Sequence, residues 1–236
     1  LTVFDDGWTL ASQDGAVTLS APLASARLSP RTGQGTVVLA PDALRSPVPW
    51  ALLLESLLVL LRARGHYALH AAGLSRGEQG VLLVAQQDSG KSTLAYSLVR
   101  EGWNYLSDDT VLVGRGAGGI EATGFRSYFT LDPEADVLFP GLAAGRVDPL
   151  FGEAKRPVDV EAIHPGQRAE RAVPRVLVFP QIVDAAESRL EPVGRAEALH
   201  HVIGQSALAV AEPAGAPAHV AALTELVRQC AAYRLL

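Results

Sequence analysis

The stretch Ala85-Gln86-Gln87-Asp88-Ser89-Gly90-Lys91-Ser92-Thr93 narrows the fold more than any other part of the chain. It follows the apolar run Val81-Leu82-Leu83-Val84 and opens a helical pattern that lasts to about residue 101. A buried strand, a tight loop and a helix in that order call for an α/β sheet with a helix packed on it. The loop matches the second half of the Walker A pattern, and each retained position has a physical use. Gly90 lets the backbone turn so that successive N–H groups face one concavity at a helix N-terminus, where the peptide dipoles favour an anion. Residues Gln87, Asp88, Ser89, Gly90, Lys91, Ser92 and Thr93 form the expected nucleotide-binding stretch. Within it, Lys91 would reach phosphate oxygens and the Ser92 hydroxyl would be a Mg²⁺ ligand, with Thr93 close behind. The tripeptide Gly-Lys-Ser recurs by chance; the strand before it and the helix after it give it weight here.

Two residues depart from the pattern. Ala85 stands where glycine is usual, and Asp88 puts a carboxylate on a loop that should attract phosphate. A like charge at about 7 Å costs on the order of 2 kcal/mol at an effective dielectric of about 20, so Asp88 must point outward or meet the metal. A loop that binds nucleotide weakly, or not at all, is the alternative these residues leave open.

Asp108 and Asp109 follow the strand pattern of residues 103–106, seventeen positions after Lys91. With one helix between, that strand is expected beside the loop's own strand, presenting both carboxylates at its C-terminal edge. One carboxylate can anchor Mg²⁺ while its neighbour accepts a hydroxyl proton. The plainer reading is that Asp-Asp before Thr110 makes a turn or cap. His70 lies in the apolar strand pattern 67–72, near the loop's strand, and is either a core histidine or a member of the site.

Elsewhere, residues 2–40 alternate in short stretches separated by Gly, Asp, Ser and Pro, the pattern of short antiparallel strands. Pro41 and Asp42 precede an expected helix that runs to about Arg64, buried on most sides, with Gly65 ending it. The turn Ser75 to Gly80 separates two strands. Residues 110–113 and 121–130 read as antiparallel additions that make the sheet mixed. Residues 132–171 are rich in Pro, Gly and charge and are expected to run irregularly over the surface. A strand at 175–183, helices near 195–211 and 217–232 and a last strand at 233–236 complete the pattern. The expected division is a small β-rich segment over 1–45 and an α/β domain with a mixed sheet over 46–236.

The formal net charge of −5, with no cluster of Lys or Arg, argues against a basic nucleic-acid-binding face. Cys230, the one cysteine, lies in an apolar helical pattern and is expected in the core; alone it makes no intrachain disulfide, which suits a reducing, cytoplasmic setting. The most apolar run, 50–61, is interrupted by Glu55 and is shorter than the roughly 20 residues of a bilayer span, so no membrane partner is expected. Leu1, with no leader pattern after it, reads as the edge of a fragment.

The order Leu69-His70-Ala71-Ala72, Val81-Leu82-Leu83-Val84, Ser89-Gly90-Lys91-Ser92-Thr93 and Gly102-Trp103 leading to Ser107-Asp108-Asp109 resembles the kinase domain of the HPr kinase/phosphorylase family. The likeness covers about half the chain, chiefly 64–113, and thins through Gly124-Phe125-Arg126 and 175–180. It implies a P-loop kinase fold related to phosphoenolpyruvate carboxykinase. It also implies ATP- and Mg²⁺-dependent phosphorylation of a serine hydroxyl on a protein or peptide. Carried over by position, Lys91 and Ser92 take the phosphate and metal roles, Asp108 and Asp109 supply the base and a metal contact, and His70 joins the site. The sequence leaves the oligomeric state open, a homo-oligomer included. The glycine-rich loop of the bifunctional enzymes has no clear copy, so phosphorylase activity is not expected; Lys155, Arg156 and Arg168 read as solvated surface. The alternative function is a nucleotide-binding regulatory or scaffold module without chemistry. A small-molecule kinase or carboxykinase-like lyase ranks last.

Overall fold

The computed structural model describes residues 2–3, 7–87, 89–125, 128–131, 135–139 and 156–236. The chain divides into two compact units, residues 1–67 with 207–220 and residues 68–206 with 221–236. The expected boundary at residue 45 therefore falls inside the first unit.

In that unit β1 (Thr2–Val3), β2 (Thr9–Gln13), β3 (Ala16–Ala21), β4 (Ala24–Ser29) and β5 (Gln34–Leu39) form an antiparallel sheet in sequential order. Leu10, Val17, Leu19, Ala26 and Leu28 alternate onto one buried face, the period of two that a half-covered sheet requires. Helix α1 (Val48–Arg62) packs on β3, β4 and β5, burying Leu52 and Val59, which is why it belongs with this sheet and not with the α/β unit. The helix expected after Asp42 is in fact two pieces. A 3₁₀ turn over Pro41–Arg45 ends at Ser46, which is extended (φ −130°) because Pro47 excludes it from the helical region. Nor is α1 buried on most sides, since Trp50, Leu53 and Leu57 are 60%, 44% and 45% exposed.

The second unit is a mixed α/β structure. Its central strands are β6 (Tyr67–Arg76), whose first residue belongs to the first unit, β7 (Gln79–Val84), β8 (Asn104–Ser107), β9 (Thr110–Gly116) and β10 (Gly119–Gly124). A small antiparallel pair, β11 (Tyr128–Leu131) and β12 (Arg156–Asp159), lies apart from them. β13 (Arg171–Pro180), β14 (Leu190–Pro192) and β15 (Ala231–Leu235) complete the strands. The main sheet runs β10-β9-β6-β7-β13-β15-β14, with β8 paired to β6. β13 is parallel to β7 and β15, whereas β6 is antiparallel to both β7 and β8. The tight packing at β6 depends on Gly73, where a Cβ would come within 2.9 Å of Leu106 Cδ2.

Helix α2 (Lys91–Arg100) covers β7 and β8, and short α3 (Ala135–Leu138) and α4 (Val160–Ile163) precede α5 (Arg195–Gly204); of the helices that follow, α6 (Ala207–Ala211) and the start of α7 (Ala216–Gln229) belong to the first unit. The expected long helix over 195–211 is interrupted at Gln205 and Ser206, giving α5 and α6. Of the segment 132–171, expected to run irregularly over the surface, only residues 135–139 and 156–171 are among those described, and these are not all at the surface. Phe139, Val158 and Val160 are buried with Tyr96, Tyr105 and Phe129, and the rings of Tyr96 and Phe139 meet edge to face at 4.7 Å. Cys230 lies between α7 and β15, half-buried rather than in the core; its thiol donates to Pro174 O at 3.3 Å, and burial pushes its pKa up to about 12. No described helix is long and apolar enough to cross a membrane.

Candidate functional site

The loop after β7 turns into α2 through Gly90, at φ +80°, a left-handed conformation that costs glycine little. The first intrahelical bond runs from Leu94 N–H to Gly90 O (2.9 Å). By helix geometry the N–H groups of the first turn therefore have no carbonyl one turn back, and they end the helix as donors. Lys91 is 5% exposed, and its ammonium donates to the carbonyl oxygens of Ala85 (2.8 Å) and Gln86 (2.6 Å). The Ser89 hydroxyl donates to Gln86 O at 2.8 Å, closing the turn. Ser92 and Thr93 are half-buried on the first turn of α2, and Gln87 is exposed. Asp88 lies outside the described residues, as does Arg126, and nothing described concerns the side chains of Lys155 and Arg156.

Topology brings the loop and the acids to one edge. Ala71 on β6 pairs with Val84 at the end of β7, and its N–H donates to Asp109 O at 3.1 Å. Because β6 is antiparallel to both neighbours, β7 and β8 run in the same direction and end at the same edge. They are not adjacent, contrary to the expectation from sequence: β6 lies between, which places the Asp109 backbone two strands, roughly 10 Å, from the loop. The intervening position at that edge is His70, whose own N–H donates to Gln205 O at 2.8 Å.

The two aspartates differ sharply. Asp108 is 2% exposed; its Oδ2 accepts the Thr130 N–H at 2.7 Å, and its Oδ1 lies 3.3 Å from the Tyr105 hydroxyl. That hydroxyl has one proton, and the shorter contact, 2.7 Å to Tyr128 O, takes it. Asp108 thereby ties the end of β8 to β11. Asp109 is half exposed, lies 3.5 Å through Oδ1 from His70 Nδ1, and accepts the Thr110 hydroxyl on Oδ2 at 3.0 Å. The Ser107 hydroxyl holds the turn by donating to Thr110 O at 2.7 Å. Asp108 thus braces the turn, and Asp109 is accessible beside an imidazole.

Sequence reasoning missed the surroundings of the loop. A cleft of about 360 Å³ adjoins Ala85, Gln86 and Ser89 and is walled by Phe179, His201 and Arg234 from β13, α5 and β15. A second, of about 490 Å³, lies against Gly90, Thr93 and Ile182. The only signal for either was the apolar run ending at Val183, whose end the sheet order sets beside β7. Among the described residues no group of three or more His, Cys, Asp or Glu side chains gathers to hold a metal. Mg²⁺ does not need one, since it keeps several waters and takes one or two protein oxygens plus phosphate. The hydroxyls of Ser92 and Thr93 at the helix start and the accessible Asp109 carboxylate are hard oxygen donors of that kind.

No family model and no curated protein matches the chain. Among solved structures it is similar to the Hpr(Ser) kinase/phosphatase from Coxiella burnetii, with 16% identity over 53% of this chain and 72% of that one and a TM-score of 0.35. A likeness that distant carries no argument about function, for which the geometry of the sheet edge has to serve.

Proposed function

We propose that the chain is an ATP- and Mg²⁺-dependent kinase that phosphorylates a serine hydroxyl of a protein or peptide. The observation that carries this reading is the shared sheet edge. A glycine-turned helix start bearing Lys91, and an accessible Asp109 beside His70, stand at one edge of the sheet, at the ends of β7 and β8, which run in the same direction on either side of the antiparallel β6. Bound Mg²⁺–ATP would supply the transferable phosphoryl group. The first-turn N–H groups of α2 would take phosphate oxygens. Lys91, leaving Ala85 O and Gln86 O, would exchange two neutral acceptors for charged ones, which is favourable because charge-assisted hydrogen bonds are about twice as strong. Ser92 would hold the metal. Asp109 would accept the serine proton, with the imidazole of His70 orienting its carboxylate. Asp108 is better suited to positioning the turn, because it is buried and its carboxylate is engaged by the Thr130 N–H.

Calorimetry with ATP and Mg²⁺, followed by single-turnover transfer to serine peptides, tests this. Lys91→Ala should abolish saturable nucleotide binding. Asp109→Asn should keep it and slow transfer by about 10²- to 10⁴-fold, the usual contribution of a positioned base. Undiminished transfer by Asp109→Asn overturns the assignment. A second reading, a nucleotide-binding regulatory module without chemistry, draws support from Ala85 and from the Lys91 ammonium being held by its own loop. It is favoured if the parent binds ATP and transfers nothing, and both readings fail if the parent does not bind ATP.

A further inference from the structure

A cavity of about 410 Å³ lies wholly within the first unit and shares no residue with the sheet-edge site. Its walls are mostly apolar, with Val17, Val59, Tyr67 and Ala218 among them, and two guanidinium groups, Arg62 and Arg31, line it as well. Arg31 is exposed; Arg62 is 6% exposed. Glu212 accompanies Arg62, with Oε2 3.0 Å from Nη1, while Nη2 donates to Glu212 O at 2.9 Å. The guanidinium is nevertheless not fully satisfied. Its Nε–H is buried with no acceptor among the described residues, and Nη1 reaches Glu212 without hydrogen-bond alignment. A buried donor left without an acceptor costs about 1–3 kcal/mol, more when the group is charged. Burial accordingly lowers the pKa of Arg62 despite the opposing pull of Glu212.

The geometry also shows a guanidinium given room. Gly215 packs against it so closely that a Cβ there would lie 2.7 Å from Arg62 Cζ. The Glu212 carboxylate is held by the N–H groups of Ala214 (3.1 Å) and Gly215 (2.9 Å), so it cannot swing to meet Nε. Two arginines and one glutamate leave the wall one positive charge in excess, the match for a singly charged head. The apolar remainder of the cavity matches a hydrocarbon body, and its volume falls within the range of small-ligand sites.

We propose that this cavity binds a small amphipathic monocarboxylate, its carboxylate held by Arg62 and Arg31 and its apolar body against Val17, Val59 and Tyr67. Such a site is independent of nucleotide binding in the second unit and is tested without it.

Calorimetry on the whole chain with hexanoate, hexanol, hexylamine and inorganic phosphate is the experiment. Hexanoate should bind saturably, and hexanol and hexylamine should not. Ala218→Phe, at an exposed wall position, should fill the cavity and remove binding, and Arg31→Gln should weaken it roughly tenfold through loss of one charge-assisted bond. Both positions are exposed, and an unchanged melting temperature confirms that each variant folds. The proposal is overturned by absence of saturable hexanoate binding, by hexanol binding as tightly as hexanoate, by displacement with equimolar phosphate, or by hexanoate binding that survives Ala218→Phe.

Discussion

Each unit contains a carboxylate beside a nitrogen-bearing cation or potential cation, and the two pairs are built for opposite ends. Arg62 and Glu212 lie 3.0 Å apart with side chains 5% and 8% exposed, whereas His70 and Asp109 lie 3.5 Å apart with side chains 33% and 34% exposed. The first pair has left water almost entirely, so its charges depend on each other and on the backbone groups that Glu212 and Arg62 engage. The second keeps contact with solvent, which screens the interaction and lets either member exchange its partner for water or another polar group. Burial thus separates a pair closed off from water from a pair open to it.

The comparison breaks most visibly in the first unit. Glu212→Ala should destabilise the fold by about 3–5 kcal/mol, because it strands a buried guanidinium, whereas Asp109→Asn should change stability by less than about 1 kcal/mol. Denaturant midpoints of the two variants measure this, and comparable losses would show that burial is not what divides the pairs. A sharper version contrasts the neighbours at the sheet edge. Asp108→Ala leaves the Thr130 N–H without its carboxylate and should cost about 1–3 kcal/mol, clearly more than Asp109→Asn. Equal costs would remove the bracing role of Asp108.

The smallest effect concerns a group between these extremes. His164 packs near Tyr96, its Nε2 is buried without a hydrogen-bond partner among the described residues, and burial together with the Arg100 charge lowers its pKa. The folded state therefore resists protonation while the unfolded chain takes a proton near the ordinary histidine value of about 6.5. Its contribution is fully present above that pH and is lost as pH falls below it, toward the depressed folded value. Melting temperatures between pH 7.5 and about 5 should fall more steeply for the parent than for His164→Leu; parallel curves would remove His164 as the cause.

Much of the second unit was legible because its signals are local. An apolar run, a glycine and a Lys-Ser pair at a helix start lie within thirteen residues, so β7, the loop and α2 needed no distant contact to be read. The break at Ser46 was equally local, written in Pro47, and was missed by following the apolar spacing past it. The interposition of β6 was not legible, because strand order is settled by which edges pair and not by any one strand's composition. Nor was the membership of α1 in the first unit, which depends on its packing against β3–β5.

By itself the sequence determined the strand, glycine turn and helix around Gly90, the acid pair after the next strand and the antiparallel start of the chain, since each depends on backbone preferences and side-chain periods within a few residues. Only the tertiary structure decided that Asp108 and Asp109 part company and that Arg62 is buried against Glu212. The partners responsible, Thr130 and Glu212, are 22 and 150 residues away. A carboxylate's role is set by the dielectric and the donors that distant segments bring to it.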